Sequence, residues 1–229
     1  MTITIHHLQR SQSERVVWLA EELGIPYELK IYQRDRHTLL APPELKALHP
    51  CSTAPVIQDG ALCMAESAAI MEYLITRHGS GRLSVPPSAP NYTDYIFWFH
   101  WGIGTLQPTI QTPMFMRFAG VAASENPIVQ ALQVRVDNAL KMLDDRLRES
   151  TWLAGEEFTA ADIMCAFDVT TMRLFGPFSL KGYDGILAFL KRVAERPAYK
   201  VTIEKAESGE DRGVVPTLME EAPEPLRME

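Results

Sequence analysis

Three short segments in the first third of the chain carry side chains that can bind or polarise a ligand. Ser11 stands just before a predicted helix, where a hydroxyl and the positive end of the helix dipole can stabilise an anion. Ala54-Pro55 opens a short apolar run. Glu66 and Ser67 begin another predicted helix, where free backbone N–H groups and the hydroxyl suit a carboxylate and the Glu66 carboxylate suits an ammonium. These residue types favour recognition of a charged ligand.

The sequence lacks the signatures of several common enzyme classes. It contains no Ser-His-Asp order, no G-x-x-x-x-G-K or G-x-G-x-x-G phosphate motif and no H-E-x-x-H. Its three cysteines, Cys51, Cys63 and Cys165, form no C-x-x-C pair and have no His at zinc-site spacing. We therefore expect no metal and no disulfide framework, with Cys51 as a small buried thiol and the other two cysteines in the core.

The amino-terminal region predicts a parallel βαβ unit. Residues 2–6 alternate as in a strand, helical spacing follows up to Gly24, and residues 26–32 form a second strand. Ser13 is the expected N-cap of the helix and Gly24 its C-terminal stop. The connection is so short that a helix between the two strands indicates a parallel crossover.

The next segments complete the order βαβαββα. A short helix is expected at 41–48, a hairpin turns at Asp59-Gly60, and a helix follows from Glu66 towards residue 79. If this topology is right, the Ser11 loop, the loop before Pro55 and the Glu66-Ser67 turn converge in space.

Beyond residue 80 the pattern changes to a linker and then to helices. Residues 80–91 contain three prolines and three serines together with Gly81. Helical spacing is found in residues 92–120, 123–149, 160–175, 183–195 and 197–206. Thr159 and Asp162 are spaced as a capping box. We expect an α/β domain over 1–80, an all-helical domain over 91–206 and an acidic tail over 207–229.

Charge and composition exclude several classes of protein. The 229 residues are 46% hydrophobic and carry a net charge of −7. Residues 206–229 hold seven acidic side chains and two arginines, so the rest of the chain is nearly neutral and has no field to attract nucleic acid. The amino terminus does not read as a signal peptide and no apolar run is long enough to span a membrane. We expect a cytoplasmic protein.

Five motifs follow one another along the chain. They are Ser11-x-x-x-Arg15 before Leu-Ala-Glu-Glu-Leu-Gly, His49-Pro50 with Ala54-Pro55-Val56-Ile57, Asp59-Gly60, Glu66-Ser67-Ala68-Ala69-Ile70 with Tyr73-Leu74, and Phe158-Thr159-Ala160-Ala161-Asp162. In this order they resemble the cytosolic glutathione transferases, most of all the bacterial and fungal branch with an active-site serine. The resemblance covers roughly residues 2–205 and implies a thioredoxin-like domain followed by a helical bundle.

The resemblance implies that glutathione is the co-substrate and that Ser11 is the catalytic residue. A thiol with a pKa of about 8.5 is mostly protonated at neutral pH, and a hydroxyl that donates a hydrogen bond to the sulfur favours the thiolate. Ser13 remains the alternative partner of the thiolate.

The resemblance also implies a set of glutathione-binding residues, namely Thr53, Ala54, Pro55, Glu66 and Ser67. Pro55 would be cis, Ala54 would pair with the cysteinyl backbone as an added strand, and Glu66 with Ser67 would hold the γ-glutamyl end. Many relatives carry Gly-Lys where this chain has Ser52-Thr53. Arg34, Arg36 and His37 are candidates to replace that lysine charge.

By resemblance, the expected activity is conjugation of glutathione to a small hydrophobic electrophile by a homodimer with a role in detoxification. Glutathione peroxidase activity on hydroperoxides can use the same thiolate. The acceptor pocket is expected among Trp101, Gln107, Met114 and Met116. Two alternatives stay open: a non-catalytic binding or interaction protein of the same fold, and a glutathione-dependent isomerase or dehalogenase.

Overall fold

The computed structural model describes residues 2–121, 126–207 and 218–226, which form two compact units. The first unit holds residues 2–86 with 194–207 and 226, and the second holds 87–121, 126–193 and 218–225. The predictions for 123–125, at the start of a helix, and for 208–217 and 227–229 of the tail lie outside the described residues. The sequence-based division into 1–80, 91–206 and 207–229 stays a prediction.

A four-stranded sheet forms the centre of the first unit. Its strands are β1 (Ile3–Leu8), β2 (Tyr27–Tyr32), β3 (Val56–Asp59) and β4 (Leu62–Ala65), in the order β2-β1-β3-β4. Strands β1 and β2 are parallel, whereas β3 is antiparallel to both β1 and β4. Gly60, with φ 60°, lies in the tight turn between β3 and β4. The predicted βαβ unit and hairpin are confirmed.

Three helices follow the sequence pattern of this unit: α1 (Glu14–Leu23), α2 (Pro43–Lys46) and α3 (Ser67–Arg77). Gly24 ends α1 with a left-handed φ of 64°, and its N–H reaches the Ala20 and Glu21 carbonyls. Ser13 takes the N-cap position, but its hydroxyl makes no capping bond. The expected capping role of that side chain is therefore wrong, because the hydroxyl bonds to the neighbouring strand instead.

The helix α9 (Pro197–Ala206) packs against α1 in the first unit. The ring centroids of Trp18 and Tyr199 lie 4.7 Å apart. The Arg196 guanidinium donates to both carboxylate oxygens of Glu22, at 2.6 and 2.7 Å. These contacts bring the end of α9 beside the loop that follows β1, where the Gln9 amide donates to the Ala206 carbonyl at 3.3 Å.

The second unit is helical in its described part. It contains α4 (Tyr92–Trp101), α5 (Gln107–Phe118), α6 (Pro127–Glu149), α7 (Ala160–Val169) and most of α8 (Asp184–Glu195). Every residue of α7 is buried, so this helix forms the centre of the bundle. Its predicted capping box is confirmed, since Thr159 and Asp162 bond reciprocally. The fold class is that expected, α/β followed by all-α.

Candidate active site

The strand register brings the three candidate segments to one end of the sheet. His6 in β1 lies opposite Val56 at the start of β3, and Val56 lies opposite Ala65 at the end of β4. The loop after β1, the loop before β3 and the turn after β4 therefore leave the sheet at the same edge. The convergence predicted from the topology is confirmed.

Ser11 lies in the loop between β1 and α1 and belongs to a buried hydrogen-bond network. Its Oγ is 2.7 Å from Ser13 Oγ and accepts the Ser13 N–H at 3.2 Å. Ser13 Oγ in turn lies 2.9 Å from His7 Nδ1 and accepts the Leu8 N–H at 3.1 Å. Ser11 is 5% exposed, whereas Ser13 and His7 are fully buried. Of the two serines, Ser11 is the one whose surface reaches solvent.

Arg34 holds the backbone of the loop that carries Ser11. Its guanidinium donates to the carbonyls of Gln9 at 3.1 Å, Arg10 at 3.0 Å and Leu39 at 2.7 Å. Burial lowers the pKa of Arg34 to about 10, so it stays charged at neutral pH. Arg34 thus orders the loop through backbone carbonyls, and the other two candidate cations, Arg36 and His37, are exposed.

Ala54 and Pro55 lie beside this loop, joined by a cis peptide bond. Ala54 is 5% exposed and packs with Leu8 and Leu45. Its carbonyl oxygen accepts a hydrogen bond from Gln12 Nε2 at 3.0 Å. The hydroxyl of Thr53, an exposed residue, donates to the same oxygen at 3.0 Å. A ligand that pairs with the Ala54 carbonyl must therefore replace one of these donors.

Glu66 and Ser67 form the turn between β4 and α3. Glu66 has φ 76° and ψ 116°, a conformation that costs about 1–3 kcal/mol and persists where the surroundings require it. Glu66 is exposed, whereas Ser67 is 2% exposed. The Ser67 Oγ has no hydrogen-bond partner among the described residues. A buried hydroxyl left in this state costs about 1–3 kcal/mol, which a ligand group that bonds to it can recover.

The described residues contain neither a group of His, Cys, Asp and Glu that could hold a metal ion nor a helix with the length and hydrophobicity to cross a bilayer. Cys51 is exposed, so the prediction of a buried thiol there is wrong. The loop before Pro55 runs along the surface, and the Cys51 N–H is satisfied locally by His49 Nδ1 at 3.2 Å. Cys165 is buried as expected, and Cys63 is partly buried.

The second unit has a cavity of about 300 Å³ between α5, α6 and residues 176–178. Of the predicted acceptor residues, Met114 lines this cavity. Trp101 and Gln107 are buried, and Met116 is partly buried. Arg117 and Phe178 also line the cavity, and no motif in the sequence pointed to either.

Residues 10–77 match the family model described as "Glutathione S-transferase, N-terminal domain", and residues 105–197 match "Glutathione S-transferase, C-terminal domain". Glutathione S-transferase 3 of Schizosaccharomyces pombe is 32% identical over 216 residues, which cover 90% of this chain and 88% of the relative. The chain belongs to the glutathione S-transferase family.

Two further proteins place this glutathione S-transferase family member among its relatives. A crystal structure of a glutathione S-transferase from Actinobacillus pleuropneumoniae superposes with a TM-score of 0.80 at 32% identity, covering 93% of this chain and 96% of that one. The disulfide-bond oxidoreductase YfcG of Escherichia coli is 27% identical over 180 residues, or 74% of this chain and 80% of the relative. The suspected family and fold are thereby confirmed.

Three residues near the candidate site were not found from the sequence. Gln12 follows Ser11 directly but belongs to no motif. His7 reads as an ordinary strand residue, and Glu207 stands among the acids of the tail. Glu207 is nevertheless only 4% exposed, and its carboxylate accepts the Arg10 N–H at 2.9 Å.

Proposed function

We propose that this family member binds glutathione at the edge of the sheet where β1, β3 and β4 meet, and conjugates it to small hydrophobic electrophiles. The observation that carries the proposal is the buried Ser67 hydroxyl, which has no partner among the described residues, next to the exposed Glu66. A hydroxyl at a helix N-terminus suits the α-carboxylate of the γ-glutamyl group, and the Glu66 carboxylate suits its ammonium.

The middle of glutathione is proposed to pair with Ala54 in the manner of an added strand. The cysteinyl N–H would bond to the Ala54 carbonyl in place of the Gln12 or Thr53 donor, both of which are on that oxygen at 3.0 Å. If the Thr53 hydroxyl is the donor displaced, it can bond to the glycine end of the ligand. Pro55 closes this part of the site beside the start of β3.

Ser11 is proposed to stabilise the glutathione thiolate. Its hydroxyl lies in the loop immediately before α1, close to the positive end of that helix dipole. A hydrogen bond donated to sulfur favours the charged form, so more of the bound thiol is nucleophilic at neutral pH. Catalysis then rests on positioning and on electrostatic stabilisation, with no covalent bond between protein and substrate.

Replacing Ser11 with Ala tests this role. We expect the pKa of bound glutathione to rise by about one to two units, since a hydrogen bond to a charged group contributes about 1.5–3 kcal/mol. The thiolate absorbance in the ultraviolet follows the titration. Ser84→Ala is the control, because that partly buried hydroxyl donates to the Gly81 carbonyl in a turn of the same unit. An unchanged titration in Ser11→Ala would refute the role.

The activity itself is tested with wild-type protein. Calorimetry should detect glutathione binding, and a panel of electrophiles, hydroperoxides and mixed disulfides should reveal turnover. No heat at millimolar glutathione would favour a non-catalytic binding protein of this fold. Turnover of disulfides alone would favour thiol-disulfide reduction, a second candidate supported by the similarity to YfcG.

The protein is further proposed to be a cytoplasmic homodimer. The second unit exposes large apolar side chains, among them Phe97 at 45%, Phe115 at 59% and Ile128 at 65%. Such surfaces favour contact with another copy of the chain. The three cysteines are free thiols, as a reducing compartment requires. Sedimentation at micromolar concentration should show twice the 25.8 kDa chain mass, and a monomer alone would refute the dimer.

A further inference from the structure

A line of polar groups leads from Ser11 into the first unit and ends at a buried carboxylate. Ser11 Oγ lies 2.7 Å from Ser13 Oγ, which lies 2.9 Å from His7 Nδ1. On the other side of the ring, His7 Nε2 lies 3.5 Å from Glu207 Oε1, an ion-pair distance rather than a short hydrogen bond. The solvent-exposed fraction is 5% for Ser11, zero for Ser13 and His7, and 4% for Glu207, so the whole line is buried.

The acceptor at the inner end determines how the hydrogens in this line point. His7 Nε2 has no hydrogen-bond partner among the described residues, but the negative charge of Glu207 at 3.5 Å favours the neutral tautomer that carries its proton on this nitrogen. His7 Nδ1 is then an acceptor at 2.9 Å from Ser13 Oγ, nearer than the Leu8 carbonyl at 3.3 Å, and we assign the Ser13 hydroxyl as its donor. Ser13 Oγ also accepts the Leu8 N–H, which leaves one lone pair for the Ser11 hydroxyl.

Ser11 Oγ is therefore an acceptor at the outer end of the line. One lone pair takes the Ser13 N–H at 3.2 Å, and its own proton points inward to Ser13 Oγ. Its second lone pair is then available to a bound ligand. A glutathione thiol at this position would donate its S–H to Ser11, so both serine hydroxyls would donate and accept hydrogen bonds before the reaction begins.

We propose that the thiol proton of bound glutathione passes along this line to His7, and that Glu207 stabilises the imidazolium that results. This inference rests on the proposed glutathione site. The thiol gives its proton to Ser11 Oγ, Ser11 gives its own to Ser13 Oγ, and Ser13 gives its own to His7 Nδ1. The S–H bond breaks and an N–H bond forms at His7, while each serine loses one proton and gains another. The electron pair of each broken bond stays on its own heavy atom, so sulfur becomes a thiolate and His7 an imidazolium.

The end state supplies the hydrogen bond that the thiolate needs. Ser11 now donates to sulfur, Ser13 donates to Ser11, and His7 Nδ1 donates to Ser13. The new positive charge on the ring faces Glu207, whose carboxylate is also held by the Arg10 N–H at 2.9 Å. Arg34 also lies within electrostatic range of Glu207, and this attraction helps to keep the carboxylate in place. His7 and Glu207 act through the serines and are positioning residues for the thiolate.

The proposal makes a measurable claim about wild-type protein: the thiolate forms without releasing its proton to solvent. Thiolate is measured by ultraviolet absorbance. Protons released per bound glutathione are measured by calorimetry in buffers that differ in ionisation enthalpy. S-methylglutathione, which has no thiol proton, supplies the background. We expect much less than one proton per thiolate, and a full proton per thiolate would overturn the proposal.

Two variants sharpen this test. His7→Asn keeps an amide near the Nδ1 position but removes the base, and Glu207→Gln keeps an acceptor for the Arg10 N–H but removes the charge. Each should raise the pKa of bound glutathione by about one unit and release a full proton when the thiolate forms at higher pH. His6→Asn is the control, because His6 points to the opposite face of β1 and bonds to Tyr32 and Gln58.

The outcomes separate this inference from the proposed site. If Ser11→Ala raises the thiol pKa while His7→Asn and Glu207→Gln leave both the pKa and the proton count at wild-type values, the relay is wrong and the site stands. If Ser11→Ala has no effect either, the proposed role of the serine fails with it. Should a variant fail to fold, the wild-type proton count still decides.

Discussion

The amino-terminal ends of α3 and α7 use similar residues in opposite ways. At α7, Asp162 is fully buried, and its carboxylate accepts the Leu153 N–H, the Thr159 N–H and the Thr159 hydroxyl, at 2.8, 2.8 and 3.2 Å. The Thr159 hydroxyl in turn accepts the Ala161 N–H at 3.3 Å. At α3, the Ser67 hydroxyl is buried with no partner among the described residues, and Glu66 is exposed in a left-handed conformation.

The difference separates a polar cluster that stabilises the fold from one that can take a ligand. A buried polar group that is bonded within the chain contributes to stability, and its removal leaves unsatisfied donors. A buried polar group without a partner costs stability until something outside the chain bonds to it. Substitutions at the two helix ends should therefore separate stability from glutathione binding.

The largest effect is expected from Asp162→Ala. Loss of the carboxylate removes the cap and leaves the buried N–H groups of Leu153 and Thr159 without their acceptor, which should lower the free energy of unfolding by about 3 kcal/mol. Denaturant unfolding followed by circular dichroism measures it. Asp162→Asn, which keeps an acceptor oxygen, should lower the free energy of unfolding by less than Asp162→Ala does. Full stability with lost turnover in Asp162→Ala would show that the cluster is functional.

A smaller and opposite effect is expected from Ser67→Ala. The substitution removes an unsatisfied hydroxyl, so stability without ligand should stay the same or increase slightly. The dissociation constant for glutathione should rise about tenfold, since a hydrogen bond to a charged group contributes about 1.5 kcal/mol or more. Calorimetry and thermal unfolding measure both quantities. A loss of stability with unchanged affinity would place Ser67 in the same class as Asp162.

The smallest effect is expected from Glu66→Gln. An exposed ion pair contributes about 0.2–1 kcal/mol, so the dissociation constant for glutathione should rise about threefold, and less at high salt. A glutathione analogue without the α-amino group is the matched control, because it should bind the variant and the wild type equally. If Glu66→Gln weakens binding of the analogue as much as binding of glutathione, Glu66 acts on another part of the ligand.

The sequence alone determined the elements that depend on near neighbours in the chain. Gly24 ends α1 because glycine takes a positive φ, and the hairpin turns at Asp59-Gly60. Thr159 and Asp162, three positions apart, form the capping box of α7. Each of these features depends on residues within a few positions of one another, so a short stretch of sequence is enough to predict it. The convergence of the Ser11 loop, the loop before Pro55 and the Glu66-Ser67 turn followed from the predicted topology, whereas the strand order and register came from the structure.

The hydrogen-bond partners inside the candidate site became known only from the tertiary structure. The Ser13 hydroxyl was expected to cap α1, but it bonds to His7 and to the Leu8 N–H, because the loop folds back onto the end of β1. Glu207 was assigned to an acidic tail, yet the packing of α9 on α1 buries it against a histidine two hundred positions away in the chain. Contacts between residues so far apart in the chain depend on how whole helices and strands pack, so no local sequence pattern indicates them.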